Sequence, residues 1–84
     1  MTQEEAKKIV ELLKSEKTYK QGHYHYGYEY YWYDSSSDLF IRKLEDLAMD
    51  IFNPSITETK LTENEFIAKL LESYEYEKMK SNML

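Results

Sequence analysis

The sequence predicts an α+β fold in which three helices pack around a tyrosine-rich β-ribbon or hairpin. Three observations predict it. Two segments, residues 2–16 and 62–78, place apolar residues at helical spacing behind Thr-x-x-Glu starts. Between them, residues 18–34 alternate with period two and are dominated by aromatics, which favour strands. The chain has 84 residues and no Cys, which suits one domain over 1–84, since domains rarely fall below about 50 residues. A mostly α, small helical bundle is the alternative.

The first helix spans about 2–16. Thr2 and Glu5 have capping-box spacing, and Ala6, Ile9, Val10 and Leu13 form its apolar stripe. The ribbon follows over 18–34. Tyr24, Tyr26, Tyr28, Tyr30 and Trp32 share one parity and are assigned to the core. His23, His25, Gly27, Glu29, Tyr31 and Tyr33 share the other and are assigned to the surface. A lone strand leaves its backbone groups unpaired, so the chain must reverse, at Gly22 or at Gly27, or pair elsewhere. A bulge at Gly27 would invert the parity on one side of it.

The serines at 35–37 open two readings. In the first, they cap a helix over about 38–52, with Phe40, Leu44, Leu47, Ala48 and Ile51 as its stripe and Ile41 and Phe52 flanking it. In the second, they turn a hairpin, Leu39–Lys43 pairs back on Tyr28–Tyr33, and a helix starts near Leu44. Either way the segment stops at Asn53-Pro54, because Pro bars the preceding residue from helical geometry. Residues 55–61 alternate weakly, as a short edge strand does. Thr62 and Glu65 then start the last helix, with Leu61 and Phe66 as a staple and Phe66, Ile67, Leu70, Leu71 and Tyr74 buried. The C-terminal stretch Glu75 to Leu84 is charged, and the tail 79–84 is expected to fray.

Composition narrows function. Leu, Ile, Val and Phe make up 18 of the 84 residues, so aromatic residues must supply part of the core. So small a chain excludes a large enzyme fold with a deep enclosed pocket. The absence of Cys excludes thiolate metal sites and disulfides. The N-terminus lacks a basic and an apolar region, and no apolar run reaches the roughly 18 residues of a membrane span, so a cytoplasmic location is expected. A net charge of −5 disfavours nucleic acid and anionic lipid as direct partners.

No catalytic signature is present, no cofactor is called for, and the chain is read as a non-enzyme. Two constellations nonetheless resemble metal sites. His23, His25 and Glu29 would share a strand face, and two imidazoles with a carboxylate suit Zn²⁺ or Fe²⁺. Their spacing resembles the first metal motif of cupins, although the surrounding glycines and the third His are missing. Asp34, Ser36, Asp38 and Glu45 match four positions of an EF-hand loop, but Leu39 stands where its Gly is needed. A base-stacking platform would need Lys or Arg beside the aromatics, and residues 23–38 contain neither.

What remains is protein binding. Tyr and Trp dominate interface hot spots. Residues 21–40 carry −3 and six of the nine tyrosines, which suits a basic partner. The expected contacts are His23, His25, Glu29, Tyr31, Tyr33, Asp34 and Asp38, and an exposed aromatic edge also allows a homodimer. In character, the segment His23–Asp34 (HYHYGYEYYWYD) with Leu61–Leu71 (LTENEFIAKLL) resembles the small acidic immunity proteins of bacterial toxin systems. That resemblance implies a non-enzymatic antitoxin. It would block the active site or substrate groove of a basic nuclease toxin, with its acids standing in for phosphates. Phage anti-defence proteins, including anti-CRISPRs, share the same size and charge and are the alternative.

Overall fold

The structure, a computed structural model, describes residues 1–23, 27–48 and 50–84, with His23, Tyr74 and Glu75 described by backbone alone. The described elements run α1 (Gln3–Lys14), β1 (Tyr19–His23), β2 (Gly27–Asp34), β3 (Leu39–Asp46), β4 (Ser55–Leu61), α2 (Glu63–Glu72) and α3 (Tyr74–Met83). The strands form one antiparallel meander in the order β1-β2-β3-β4. The fold is thus α+β, with the three helices on one face of the sheet.

Both capping boxes form. Thr2 and Glu5 satisfy each other's backbone N–H at the start of α1, and Thr62 and Glu65 do the same for α2. These donors have no partner within the helix and would otherwise depend on water. At its other end α1 closes with Glu16 and Lys17 donating to the carbonyls of Leu13 and Leu12. That closure puts Glu16 at a φ of 69°, a left-handed position that glycine usually fills.

The helix expected over 38–52 does not form. Residues 39–46 are β3, paired along their full length with β2. The hairpin reading is right in its pairing, but the helix it placed near Leu44 is also absent, because the strand runs on to Asp46. The turn explains the choice. The Asp34 carboxylate accepts from the Ser36 N–H and hydroxyl and from the Ser37 hydroxyl, at 3.1, 2.7 and 2.8 Å. Asp38 takes a φ of 54°, which Asp tolerates better than most residues. This four-residue connection lets β2 satisfy its backbone over eight pairs.

The C-terminal segment is also rearranged. The helix expected over 62–78 breaks at Ser73, whose backbone is extended, and the tail expected to fray forms α3. Tyr76 and Met79 plug into the core, and Asn82 donates to the Tyr19 hydroxyl at 3.1 Å. Burial therefore holds a segment whose charged sequence looks solvated.

The core joins Ala6, Ile9, Val10 and Leu13 of α1 with Tyr19, Tyr31, Phe40 and Leu61 of the sheet and with Phe66, Leu70, Tyr76 and Met79. Phe40 stacks on Phe66 with centroids 4.8 Å apart and planes 4° from parallel. Tyr76 meets the Tyr31 ring edge-on at 5.5 Å. Register places Tyr33, Phe40 and Leu61 in one row, and Tyr19, Tyr31 and Arg42 in the next, on the helix-facing side. The assignment of the two strand faces is thereby reversed. Glu29 and Tyr31 point inward, whereas Tyr28, Tyr30 and Trp32 lie on the outer face. Gly27 continues the register without a bulge.

Candidate functional site

Six of the seven expected contact residues are described, and they separate into three places. His23 ends β1, and its side chain is not described; His25 lies outside the described residues. Glu29 and Tyr31 are buried, at 3% and 0% exposure, and so cannot meet a partner directly. Tyr33, Asp34 and Asp38 gather at the β2–β3 turn. There the half-buried Tyr33 donates to Asp38 at 2.6 Å, which raises the phenol's pKa, while Asp34 secures the turn.

Glu29 anchors an internal polar network. Its carboxylate accepts from Lys78 of α3 at 2.7 Å and from the Tyr31 hydroxyl at 3.1 Å, and Arg42 lies 3.7 Å away. The Tyr31 hydroxyl in turn accepts from Arg42 Nε at 3.0 Å. Burial alone would raise the Glu29 pKa. The hydrogen bond and charge of Lys78, with Tyr31 and Arg42, outweigh it and hold the carboxyl below its ordinary value. This carboxylate is committed to joining α3 to the sheet, so it is not free to complete a site with His23 and His25.

The EF-hand reading meets a geometric obstacle. Glu45 pairs with Tyr28, and Asp34 pairs with Leu39 at the far end of the same hairpin. At about 3.4 Å per residue these carboxylates stand roughly 20 Å apart along the strands. Among the described residues no group of three or more His, Asp or Glu could hold a metal ion. A cleft of about 320 Å³ between the end of α1 and α3 is lined by Leu12, Lys17, Thr18, Tyr19, Asn82 and Met83. The Tyr19 hydroxyl there already donates to Gln21 and accepts from Asn82.

The most unusual surface is the loop between β3 and β4. Ile51 and Phe52 are 69% and 85% exposed, and Ile56 and Tyr28 are exposed as well. Register puts Tyr28, Glu45 and Ile56 in one row of the outer face, close to the end of the sheet that this loop caps. On either side of residue 49, an Asp side chain holds the described backbone. The Asp46 carboxylate accepts from the Ala48 N–H at 2.9 Å, and the Asp50 carboxylate accepts from the Phe52 N–H at 2.9 Å and from Asn53 at 3.1 Å. Side-chain-to-backbone bonds of this kind replace the helix expected here. The bonds from Asn53 and the Phe52 N–H hold the Asp50 carboxyl below its ordinary pKa, so it is charged at neutral pH. Exposed apolar side chains are thus interleaved with Glu45, Asp46 and Asp50.

The remainder of the outer face differs in charge. Lys20 lies 4.4 Å from the Tyr28 ring centroid, and Lys20 and Lys43 lie 5.4 and 5.3 Å from that of Tyr30. Neighbouring strands therefore supply the cations that β2 lacks in sequence. Cations beside aromatic rings are the combination a base-stacking platform uses, so the absence of Lys and Arg from residues 23–38 does not by itself set that reading aside. Trp32 and Ile41 are paired beyond them, with Ile41 buried.

Sequence reasoning missed Ile51, Phe52 and Ile56 because they completed plausible helix and strand patterns. The available signal was the repeated Asp-x-apolar spacing, Asp46-Leu47-Ala48 and Asp50-Ile51-Phe52, just before Asn53-Pro54. No model of a protein family, no curated protein and no solved structure matches the chain.

Proposed function

We propose that this chain is a non-catalytic, protein-binding inhibitor of the immunity type, which docks a basic protein through the acid-rimmed apolar end of its sheet. The partner class is a nuclease toxin, whose substrate groove is basic because it binds a polyanion. The observation that carries this reading is the exposure of Ile51 and Phe52 on a loop whose backbone is held by two Asp side chains.

Large apolar side chains are normally withdrawn from water, and fully burying one is worth about 1.5–3 kcal/mol. Exposing two in succession forgoes that gain in the free protein and keeps it for a complex. Glu45, Asp46 and Asp50 add charge that attracts a basic surface and speeds encounter. The contacts expected from sequence change accordingly: Tyr28, Ile51, Phe52 and Ile56 replace Glu29 and Tyr31.

The test is capture in the native host with a photo-crosslinking amino acid in place of Phe52. A single basic protein should be labelled, and labelling should vanish when Ile51→Asp is added. Labelling that instead vanishes with Leu71→Asp, an exposed position on α2, would place the interface on the helices and refute the docking surface.

A further inference from the structure

Among the described residues, β4 is an outer strand whose second edge has no sheet neighbour. Its seven residues, Ser55–Leu61, hold an unbroken register with β3, contain no Pro and are mostly exposed. Open edges of this kind are ordinarily blunted by Pro, bulges or repelling charges. Here the charges attract instead. Glu58 and Lys60 sit on the same outer face and both are exposed; Glu58 stands opposite Lys43 of β3 and Lys60 acts on Asp34 at longer range, but neither forms a close ion pair among the described residues, so both can still meet a second edge.

We infer that β4 pairs antiparallel with β4 of a second copy, about a two-fold axis at Thr59, to give a continuous eight-stranded sheet. A two-fold perpendicular to the sheet keeps outer faces together, so only same-parity residues can meet. Centring at Thr59 sets Glu58 opposite Lys60 of the partner subunit, and Lys60 opposite the partner's Glu58. Both pairs are of opposite charge, and Thr59 meets its own copy, a pairing that strands favour. Centring at Glu58 or Lys60 would set like charges face to face. The other edge offers no comparable match. In β1 the outer face holds Lys20 and Gly22, and neither centring produces an opposite-charge pair. This inference rests on β4, which shares Ile56 with the docking surface, and it does not depend on Ile51 or Phe52.

The test uses the whole chain and sedimentation across a concentration series. The wild type should reach twice its 10.2 kDa mass. Glu58→Lys or Lys60→Glu alone should weaken the dimer at least tenfold, because each sets like charges opposite one another. The double substitution should restore it. So should an equimolar mixture of the two single variants, in which an edge carrying two cations meets an edge carrying two anions. As a readout independent of charge, Thr59→Cys should cross-link to a dimer under mild oxidation, whereas Thr57→Cys, which faces Leu61 of the partner subunit, should not. A wild type that stays monomeric at every concentration overturns the inference. So does a dimer indifferent to both single substitutions, or one whose loss neither the double variant nor the mixture repairs.

Discussion

Tyr31 offers the sharpest test of which ribbon face is the core. Its ring is fully buried against Tyr19 and Tyr76, and its hydroxyl links Glu29 to Arg42. Tyr31→Phe keeps the ring and removes the link. Hydrogen bonds to charged groups contribute about 1.5–3 kcal/mol, so a loss of about 2 kcal/mol is expected. Tyr31→Ala also empties the ring's volume, and aromatic-to-Ala changes in cores cost about 3–5 kcal/mol. Chains of this length have roughly 4–13 kcal/mol of stability in total, so the Ala variant should lose a large share of it and melt at least about 12 °C below wild type. In a domain this small, 1 kcal/mol moves the melting point by about 4–8 °C, so Tyr31→Phe should melt roughly 10 °C or more below wild type. Tyr28→Ala, on the outer face at 41% exposure, should cost about 1 kcal/mol or less. Thermal melts followed by circular dichroism and by Trp32 fluorescence read all three. A Tyr31→Ala protein that melts within a few degrees of wild type, beside a Tyr28→Ala protein that collapses, would restore the opposite face assignment.

Three further outcomes follow from particular contacts. Because the Glu29 carboxyl is held below its ordinary value of 4.5, its stabilisation is complete above that pH and is lost as pH falls through the lower folded value. Glu29→Gln should therefore cost about 2–3 kcal/mol at pH 7 and flatten the acid limb of a pH series of urea midpoints; an unchanged limb would contradict the network. Glu16→Gly, at the left-handed closure of α1, should raise stability by about 0.5–1 kcal/mol in the same titration, and a loss would contradict that geometry. Gly27→Ala should cost about 2–3 kcal/mol, because a Cβ there would lie 1.9 Å from the Glu45 carbonyl oxygen and force β2 and β3 apart; a neutral result would argue against their close approach.

What the sequence revealed depended on how local the determining interaction is. The starts of α1 and α2 were legible because a capping box lies within four residues. The ribbon was legible as strand, but alternation has no sign, and both parities of residues 23–33 carry tyrosines. The sign is set by Phe40, Leu61 and Arg42, which reach β2 only through register. Residues 39–46 satisfied two periods at once, and the Asp34 turn decided between them. The hold of Tyr76, Met79 and Asn82 on α3 depends on partners far away in sequence. The docking surface was hidden for a related reason: Ile51 and Phe52 looked like the end of a helical stripe until the Asp46 and Asp50 turns replaced that helix.

The docking claim is tested most directly by titrating the captured basic partner, in a calorimeter, against wild type, Phe52→Ala and Leu71→Ala. Truncating a hot-spot side chain costs about 2 kcal/mol or more, so the dissociation constant for Phe52→Ala should rise at least roughly 30-fold. Leu71→Ala should bind like wild type, and both variants should keep the wild-type melting point. An unchanged dissociation constant for Phe52→Ala would contradict the claim.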